Sequence, residues 1–441
     1  MVRRTRDASI RRAGSLALMP LLLAAALAEA GPQLESQRHQ LALWSAVRTD
    51  DGEVSLARLS ASSEWRWRFG DRWQAELGAR LELADDDTGL GTVRTFAPGS
   101  RPLIDSEHAR LEIDTATLSR QGAGQQIVLG KQVVAWGVLD GLRVTDRFAP
   151  VRLRDFVLTE VRPERISRWG VRVRQRALDG WFDFAVALDD TVDQLPNPGD
   201  TFSPLAPRSR AGLPLDAVAP PLVVADRGHA PSDATIGLRF SRGLAAGSFS
   251  VLVLDGPDTE PRFTPQADGT VRLDYPRRSL FGATFEASAG AFVWRAELAH
   301  IPDQPVNRSG SAGLLIDREA RTLAGIGLDW RGEDGLFVNA QLGIDHLNEG
   351  ASDAALVRPQ TDWIGTVRVQ KSLLQDTIIL RAEWIGSLAD GDGAFRPSVE
   401  WGLNDTLRLG AGIDWLHGQP DELFGQFRDQ SRAWLRLTAS F

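Results

Sequence analysis

The 441-residue sequence contains no cysteine, one tyrosine (Tyr275) and only six histidines. Without cysteine there are no disulfides, no thiolate nucleophile, no iron–sulfur cluster and no cysteine-type zinc site. So few histidines do not predict a metal centre, and neither metal nor cofactor is expected. Apolar runs long enough for membrane helices are missing too. So are the Gly-x-Ser-x-Gly, phosphate-loop, His-Glu-x-x-His and EF-hand patterns, and no enzymatic activity is expected.

One apolar run lies at the N-terminus. Residues 1–12 hold five arginines and one acid, Ala13 to Ala28 are dense in leucine and alanine, and Ala28-Glu29-Ala30 precedes Gly31. This order predicts a secretory signal peptide over residues 1–30. Arg11-Arg12 would also suit a twin-arginine signal, though an ordinary basic start is the simpler reading. Residues 31–441 then carry 45 bases and 56 acids, a net charge of −11 that disfavours nucleic acid as a partner.

What residues 31–441 do have is alternation. Leu407, Leu409, Ala411, Ile413 and Trp415 share one face, against Arg408, Gly410, Gly412 and Asp414 on the other, and 75–83, 291–300 and 336–346 repeat the pattern. Period two marks strands with one apolar face. Eighteen strands are predicted, near 39–48, 54–69, 72–84, 107–118, 125–135, 168–177, 181–190, 234–242, 246–255, 279–289, 291–300, 322–331, 336–346, 362–371, 376–388, 394–402, 405–416 and 431–441, with sixteen as the alternative count. Every second connection is tight, as at Gly70-Asp71, Asp179-Gly180, Gly290, Gly332-Glu333-Asp334-Gly335 and Asn404. Those between (85–106, 136–167, 191–233, 256–278, 301–321 and 347–361) are long. Short turns at one rim and long loops at the other predict an all-β fold over 31–441, a transmembrane antiparallel β-barrel of the Gram-negative outer membrane. Closure satisfies every backbone group within lipid.

The last strand supports this. Ala433, Leu435, Leu437, Ala439 and Phe441 form one apolar row, and the terminal Phe441 resembles the signal that barrel-insertion machinery reads. Trp44, Trp65, Trp73, Trp330, Trp384, Trp401 and Trp415 near strand ends suit interfacial girdles against outer-membrane lipid and lipopolysaccharide.

A barrel of about 18 strands is wide enough for an aqueous channel unless loops fold inward. The region 136–176 is the best candidate for a constriction. Between Arg143 and Arg176 stand ten arginines, including Arg147, Arg152, Arg154, Arg162, Arg165, Arg168, Arg172 and Arg174, against Asp146, Asp155, Glu160 and Glu164. Arg172, Arg174 and Arg176 alternate with Val171 and Val173, which predicts a ladder facing the lumen. Guanidinium stays charged and presents a planar fork to carboxylate or phosphate, so such a cluster selects anions. The competing expectation pairs these arginines with lumen acids such as Glu112, Asp114, Asp183 and Asp189.

The run Gly130-Lys131-Gln132-Val133-Val134-Ala135-Trp136-Gly137, followed by Asp146, Pro150 and Arg152-Leu153-Arg154-Asp155, resembles a family of uncharacterised proteobacterial outer-membrane barrels. That family carries Gly-(Arg/Lys)-Gln-x-x-x-Trp-Gly and an Asn-Pro-x-Asp-Leu-Arg-like element. Phe424-Gly425-Gln426-Phe427 fits it as well. Ala149-Pro150-Val151-Arg152 departs from the second element, and Ala439-Ser440-Phe441 replaces a usual Tyr-Ser-Phe. The resemblance implies porin-like transport, with some relatives beside efflux or lipid-export systems, and names no substrate.

His300, His346 and His417 are expected at the outer ends of non-adjacent strands, Asp390-Gly391-Asp392-Gly393 as a plain turn and Asp85-Asp86-Asp87 as a solvated loop. The expected function is passive passage of small polar or anionic solutes. An exporter barrel for lipid or hydrophobic compounds is the first alternative, and a structural or adhesive barrel the second. A homotrimer is a common porin assembly, although no flat protein-facing wall shows in the pattern.

Overall fold

The computed structural model describes residues 31–441 except 86–89, 91–94, 157, 159–163, 198–199, 204–217, 219, 225–232, 311–312 and 349–354. The expected signal segment, Asp86-Asp87, Glu160 and Arg162 lie outside the described residues.

Eighteen antiparallel strands form the wall: β1 (Gln33–Arg48), β2 (Val54–Phe69), β3 (Trp73–Ala84), β4 (Ala109–Gly122), β5 (Gln125–Gln132), β6 (Arg168–Ala177), β7 (Gly180–Ala187), β8 (Thr235–Leu244) and β9 (Gly247–Pro257). The second half is β10 (Arg277–Ala289), β11 (Phe292–Gly310), β12 (Gly313–Arg331), β13 (Leu336–Leu347), β14 (Thr361–Leu373), β15 (Ile378–Ser387), β16 (Gly393–Gly402), β17 (Leu407–His417) and β18 (Arg432–Ser440). Each pairs with its chain neighbours, and β18 returns to β1 from Gln40↔Ser440 to Arg48↔Arg432, closing the ring. A small sheet of Leu222–Val224, Arg262–Pro265 and Val271–Asp274 lies in the loops. No helix among the described residues is long and apolar enough to cross a membrane.

The period-two pattern becomes two faces. Leu409 stands opposite Trp401 and Leu437 on the outer face, where Trp401, Ile413, Trp415 and Leu435 are exposed. On the inner face Asp414 is fully buried between Arg396 (3.0 Å) and Arg432 (2.9 Å). Trp65, Trp330 and Trp384 keep the outer row, opposite Leu77, Phe292 and Val367. Trp44 does not. It shares the inner row with Gln40 and Ala42 along a lumenal cavity, with the guanidinium of Arg432 5.6 Å from its ring.

Turns of two to four residues join β2–β3, β4–β5, β6–β7 and each later alternate pair, on the rim that holds both ends of β1–β18. Leu178 and Asp179 both take positive φ, near +54°, the twist a two-residue hairpin needs. Two of the boundary changes bear on the lumen. The long loop expected over 301–321 is instead strand: β11 and β12 run in register to Gly310↔Gly313 past a bulge between Ile301 and Gln304. Two prolines within the stretch, Pro302 and Pro305, mask a strand pattern. His300 therefore sits mid-strand, its Nδ1 3.1 Å from Thr322 Oγ1, not at an outer end. The second change is at β5, expected to reach residue 135, which leaves the wall after Gln132.

Candidate functional site

The early end of β5 begins with Gly130. Its φ is +115°, and a Cβ there would lie 2.0 Å from the Ala116 carbonyl oxygen, so only glycine lets β5 approach β4 this closely before the chain swings inward. Lys131 is buried and donates to the Ile113 carbonyl (2.7 Å), a β4 group that no further β5 residue pairs. Gln132 donates to the Val128 carbonyl (3.3 Å). The described residues of the following segment, 133–167, cross the lumen.

Its first half is bolted to β7–β13. The Trp136 indole donates to Asp183 (3.2 Å), and its ring lies where a Cβ on Gly237 would be 2.5 Å away. Gly137 has no room for a side chain, since a Cβ would meet Asp146 at 2.8 Å and Glu297 at 2.9 Å. Glu297, buried on β11, accepts from the Val138, Leu139 and Thr145 amides and the Thr145 hydroxyl, the last three at 2.7, 2.8 and 2.6 Å. Leu139 fills the space beside Gly325 and Gly327, and Leu142 that beside Gly343. These side chains join Val134, Val144 and Phe148 in an apolar cluster with wall residues Ala185, Leu252, Leu280 and Leu323. Small wall residues facing large loop residues make this half of the lumen a packed core, with the dense interdigitation that implies.

The return half is held by ion pairs. Arg143 meets Asp193 (2.9 Å), Arg147 meets Glu260, and Arg165 meets Asp146 (2.6 Å). The Pro150 carbonyl accepts from Ile166 (2.7 Å). Arg152 bridges Glu112 (2.7 Å) and Gln194 (3.1 Å). Asp155 accepts from Arg58 (2.8 Å), and Arg154 lies 3.4 Å from Asp155 and 3.7 Å from Glu82. Burial pushes Asp155, Glu164 and Glu260 up, but the guanidiniums outweigh it and hold all three below their ordinary values: Arg58 and Arg154 at Asp155, Arg152 and Arg80 at Glu164, Arg147 and Arg321 at Glu260. At the long-loop rim Leu158, Phe202, Phe424 and Phe427 form a second apolar cluster, and Asp392 accepts from the Phe424 amide (2.7 Å).

Between the return half and β1–β4 with β16–β18 remains a cavity of about 810 Å³. Among the described residues eight arginines line it against four carboxylates, Glu82, Asp155, Glu164 and Glu400. A second space of about 170 Å³ shares Trp44, Glu400 and Arg436 with it.

The sequence-predicted arginines therefore divide. Arg152, Arg154 and Arg165 line the cavity. Arg143, Arg147 and Arg168 hold the inward segment or its surroundings, Arg168 through Thr235 (3.2 Å) and the Phe148 carbonyl. Arg172 and Arg174 gather with Arg239 on Asp183, at 2.8, 3.9 and 3.3 Å, away from this cavity, while Arg176 sits at the short-turn rim. Arg58, Arg80, Arg110, Arg408 and Arg436 line the cavity without having been singled out. Each occupies the wet row of its own strand, a signal visible in the alternation, but closure alone brings β2–β4 beside β17 and β18. Phe441 pairs with His39 through both backbone bonds (2.8 and 3.0 Å) and is exposed.

No family model matches the chain, and no curated protein is similar to it in sequence. Among solved structures it is similar to OccAB1 of Acinetobacter baumannii, at 8% identity with a TM-score of 0.49 over 92% of this chain and 95% of that one. OccD3 of Pseudomonas aeruginosa gives 10% identity and 0.47 over 94% and 93%. Salmonella typhi OmpF, in a complex with daunomycin, gives 10% identity and 0.42 over 92% and 97%.

Proposed function

We propose that the chain is an outer-membrane porin-like channel for passive passage of small polar or anionic solutes, exported by its first thirty residues. The observation that carries this reading is the basic cavity beside the inward segment, where among the described residues eight arginines face four carboxylates in about 810 Å³. An excess of fixed positive charge in a narrow aqueous space raises the local concentration of anions and excludes cations. The 133–167 segment narrows the lumen, and its Arg152 and Arg154 form one side of the route; β1–β4 and β16–β18 form the other. Outside, the apolar belt with its tryptophans contacts outer-membrane lipid and lipopolysaccharide, and Phe441 is the signal for insertion. Neither an exporter of apolar compounds nor an adhesive barrel accounts for a charged cavity of this size.

Planar-bilayer recording tests the proposal. Ohmic steps are expected, with a reversal potential in asymmetric potassium chloride that reports anion preference. A barrel that inserts but passes no current, or that prefers potassium, would refute it.

A further inference from the structure

Asp183 on β7 is outnumbered. Gln126, Arg174, Asp183 and Arg239 stand in one cross-strand row over β5–β8, on the lumenal face, and Arg172 lies one two-residue step nearer the long-loop rim. Arg172 donates to the carboxylate through Nε (2.8 Å) and Arg239 through Nη2 (3.3 Å), while Arg174 comes no closer than 3.9 Å. The Trp136 indole of the inward segment reaches the same carboxylate (3.2 Å). Three guanidiniums thus share one acid, a surplus of two positive charges. Among the described residues the inner rows of β4 to β9 hold no second carboxylate between this level and the short turns; Gln126, Ser241 and Ser250 stand there instead.

The tips of these arginines are within reach of the lumen. Nε of Arg174 and of Arg239 is shut in, but Nη1 of Arg172, Nη1 of Arg239 and both Nη atoms of Arg174 keep open surface and have no hydrogen-bond partner among the described residues. The side chains are 21, 17 and 33% exposed for Arg172, Arg239 and Arg174. Two forks rise from β6 and one from β8, on either side of the carboxylate, with neighbouring strands about 4.8 Å apart. A planar carboxylate has two oxygens for them; a tetrahedral oxyanion has more, and guanidinium forks hold such groups bidentately. We infer that this cluster is a binding site for a divalent tetrahedral oxyanion, free phosphate or the phosphate of a small ester, on the short-turn side of the inward segment. A divalent guest cancels the surplus charge. The site lies apart from the cavity of Arg152 and Arg154 and depends on the wall alone, so it goes beyond the channel reading.

Isothermal titration calorimetry on the full chain, folded in detergent at about pH 8 where phosphate is mainly the dianion, tests it without any current being passed. Phosphate and sulfate are expected to bind one per barrel at millimolar concentration or below, and acetate at least about tenfold more weakly. Arg174→Gln removes a guanidinium that holds nothing in place and should weaken phosphate about tenfold, the loss of one charge-assisted contact; Arg239→Gln should do the same and keeps the test open if the first variant misfolds. Glycerol 2-phosphate bound as tightly as phosphate assigns the site to the free anion, and a tenfold tighter ester assigns it to the ester; either result supports the site. Phosphate bound no tighter than acetate, or bound equally by both variants, would overturn it. So would loss of binding on Arg408→Ala but not on Arg174→Gln, which would put the anion in the larger cavity. A barrel that passes no current in bilayers yet still binds phosphate would refute the channel reading and leave this site standing.

Discussion

Glu297 is the residue on which the position of the inward segment depends most, and Glu297→Gln isolates its role. One carboxylate oxygen takes the Val138 and Leu139 amides, the other the Thr145 amide and hydroxyl. The amide side chain keeps one acceptor and turns the other into an NH₂ group, from which the Thr145 hydroxyl can accept but which the Thr145 amide can only face as a second donor. A buried donor without a partner costs about 1–3 kcal/mol. At the middle of that range the local opening equilibrium shifts by roughly thirtyfold, since each 1.4 kcal/mol is a factor of ten. The wall is untouched, because Glu297 keeps its backbone pairing with Thr284 and Gly325. Single-channel recording should therefore show normal insertion but frequent, larger openings. Limited proteolysis should cut between residues 138 and 147 faster by a comparable factor where opening limits cleavage. Glu76→Gln on β3, paired with Arg66 (3.3 Å) away from the inward segment, serves as the control. If Glu297→Gln stays as quiet and as protected as Glu76→Gln, the carboxylate does not hold the segment in place.

Three further outcomes follow from the same geometry. Gly237→Val forces a side chain into the rigid Trp136 ring and should cost about 1–3 kcal/mol of overpacking, read as a lower temperature for the heat-induced mobility shift of the folded barrel on gels; an unchanged midpoint would contradict the close fit. Asp155, Glu164 and Glu260 titrate below their ordinary range, so the stability they lend is complete above about pH 4.3, the unperturbed carboxylate value, and fades as acid carries them through their lower folded values. Channel noise should accordingly stay flat from pH 7 to about 4.5 and rise only below; a rise near pH 6 would exclude these carboxylates as its source. Arg408→Ala should reduce the anion-to-cation permeability ratio about twofold or more by removing one of the cavity's excess charges, whereas Arg176→Ala, at the short-turn rim, should leave the ratio within measurement error; the reverse ranking would move the route to β6.

Strand number and both rims were legible because lipid and water on opposite faces of one sheet impose strict alternation, and nothing in β17 or β18 competes with it. Legibility failed where another force overrode the period. Pro302 and Pro305 hid the upper halves of β11 and β12, and the glycine at 130 ended β5 although apolar residues continue to 135. Trp44 reads as an interfacial residue by type, yet its row belongs to the lumen. The arginine-rich stretch was visible as composition, but its sorting into bolts and cavity wall depends on partners 40 to 113 residues away, such as Glu112, Glu260 and Asp193. Glu297 carries no local signal at all: it is one more acid in an alternating strand until the segment from 138 to 145 arrives above it.

Where β5 turns away, β4 loses its strand neighbour beyond Ala116 until Ile104 and Asp105 take up the edge at Leu111 and Arg110. The carbonyls of Ile113 and Asp114 are met by the Lys131 ammonium and the Ser167 hydroxyl instead of by a ladder. The circumference at that height is thus completed by two side-chain clasps, one of them cationic. Lys131→Met would leave a naked oxygen beside a side chain that is 2% exposed, and the damage would register as a leak through the staves and not as altered traffic down the bore.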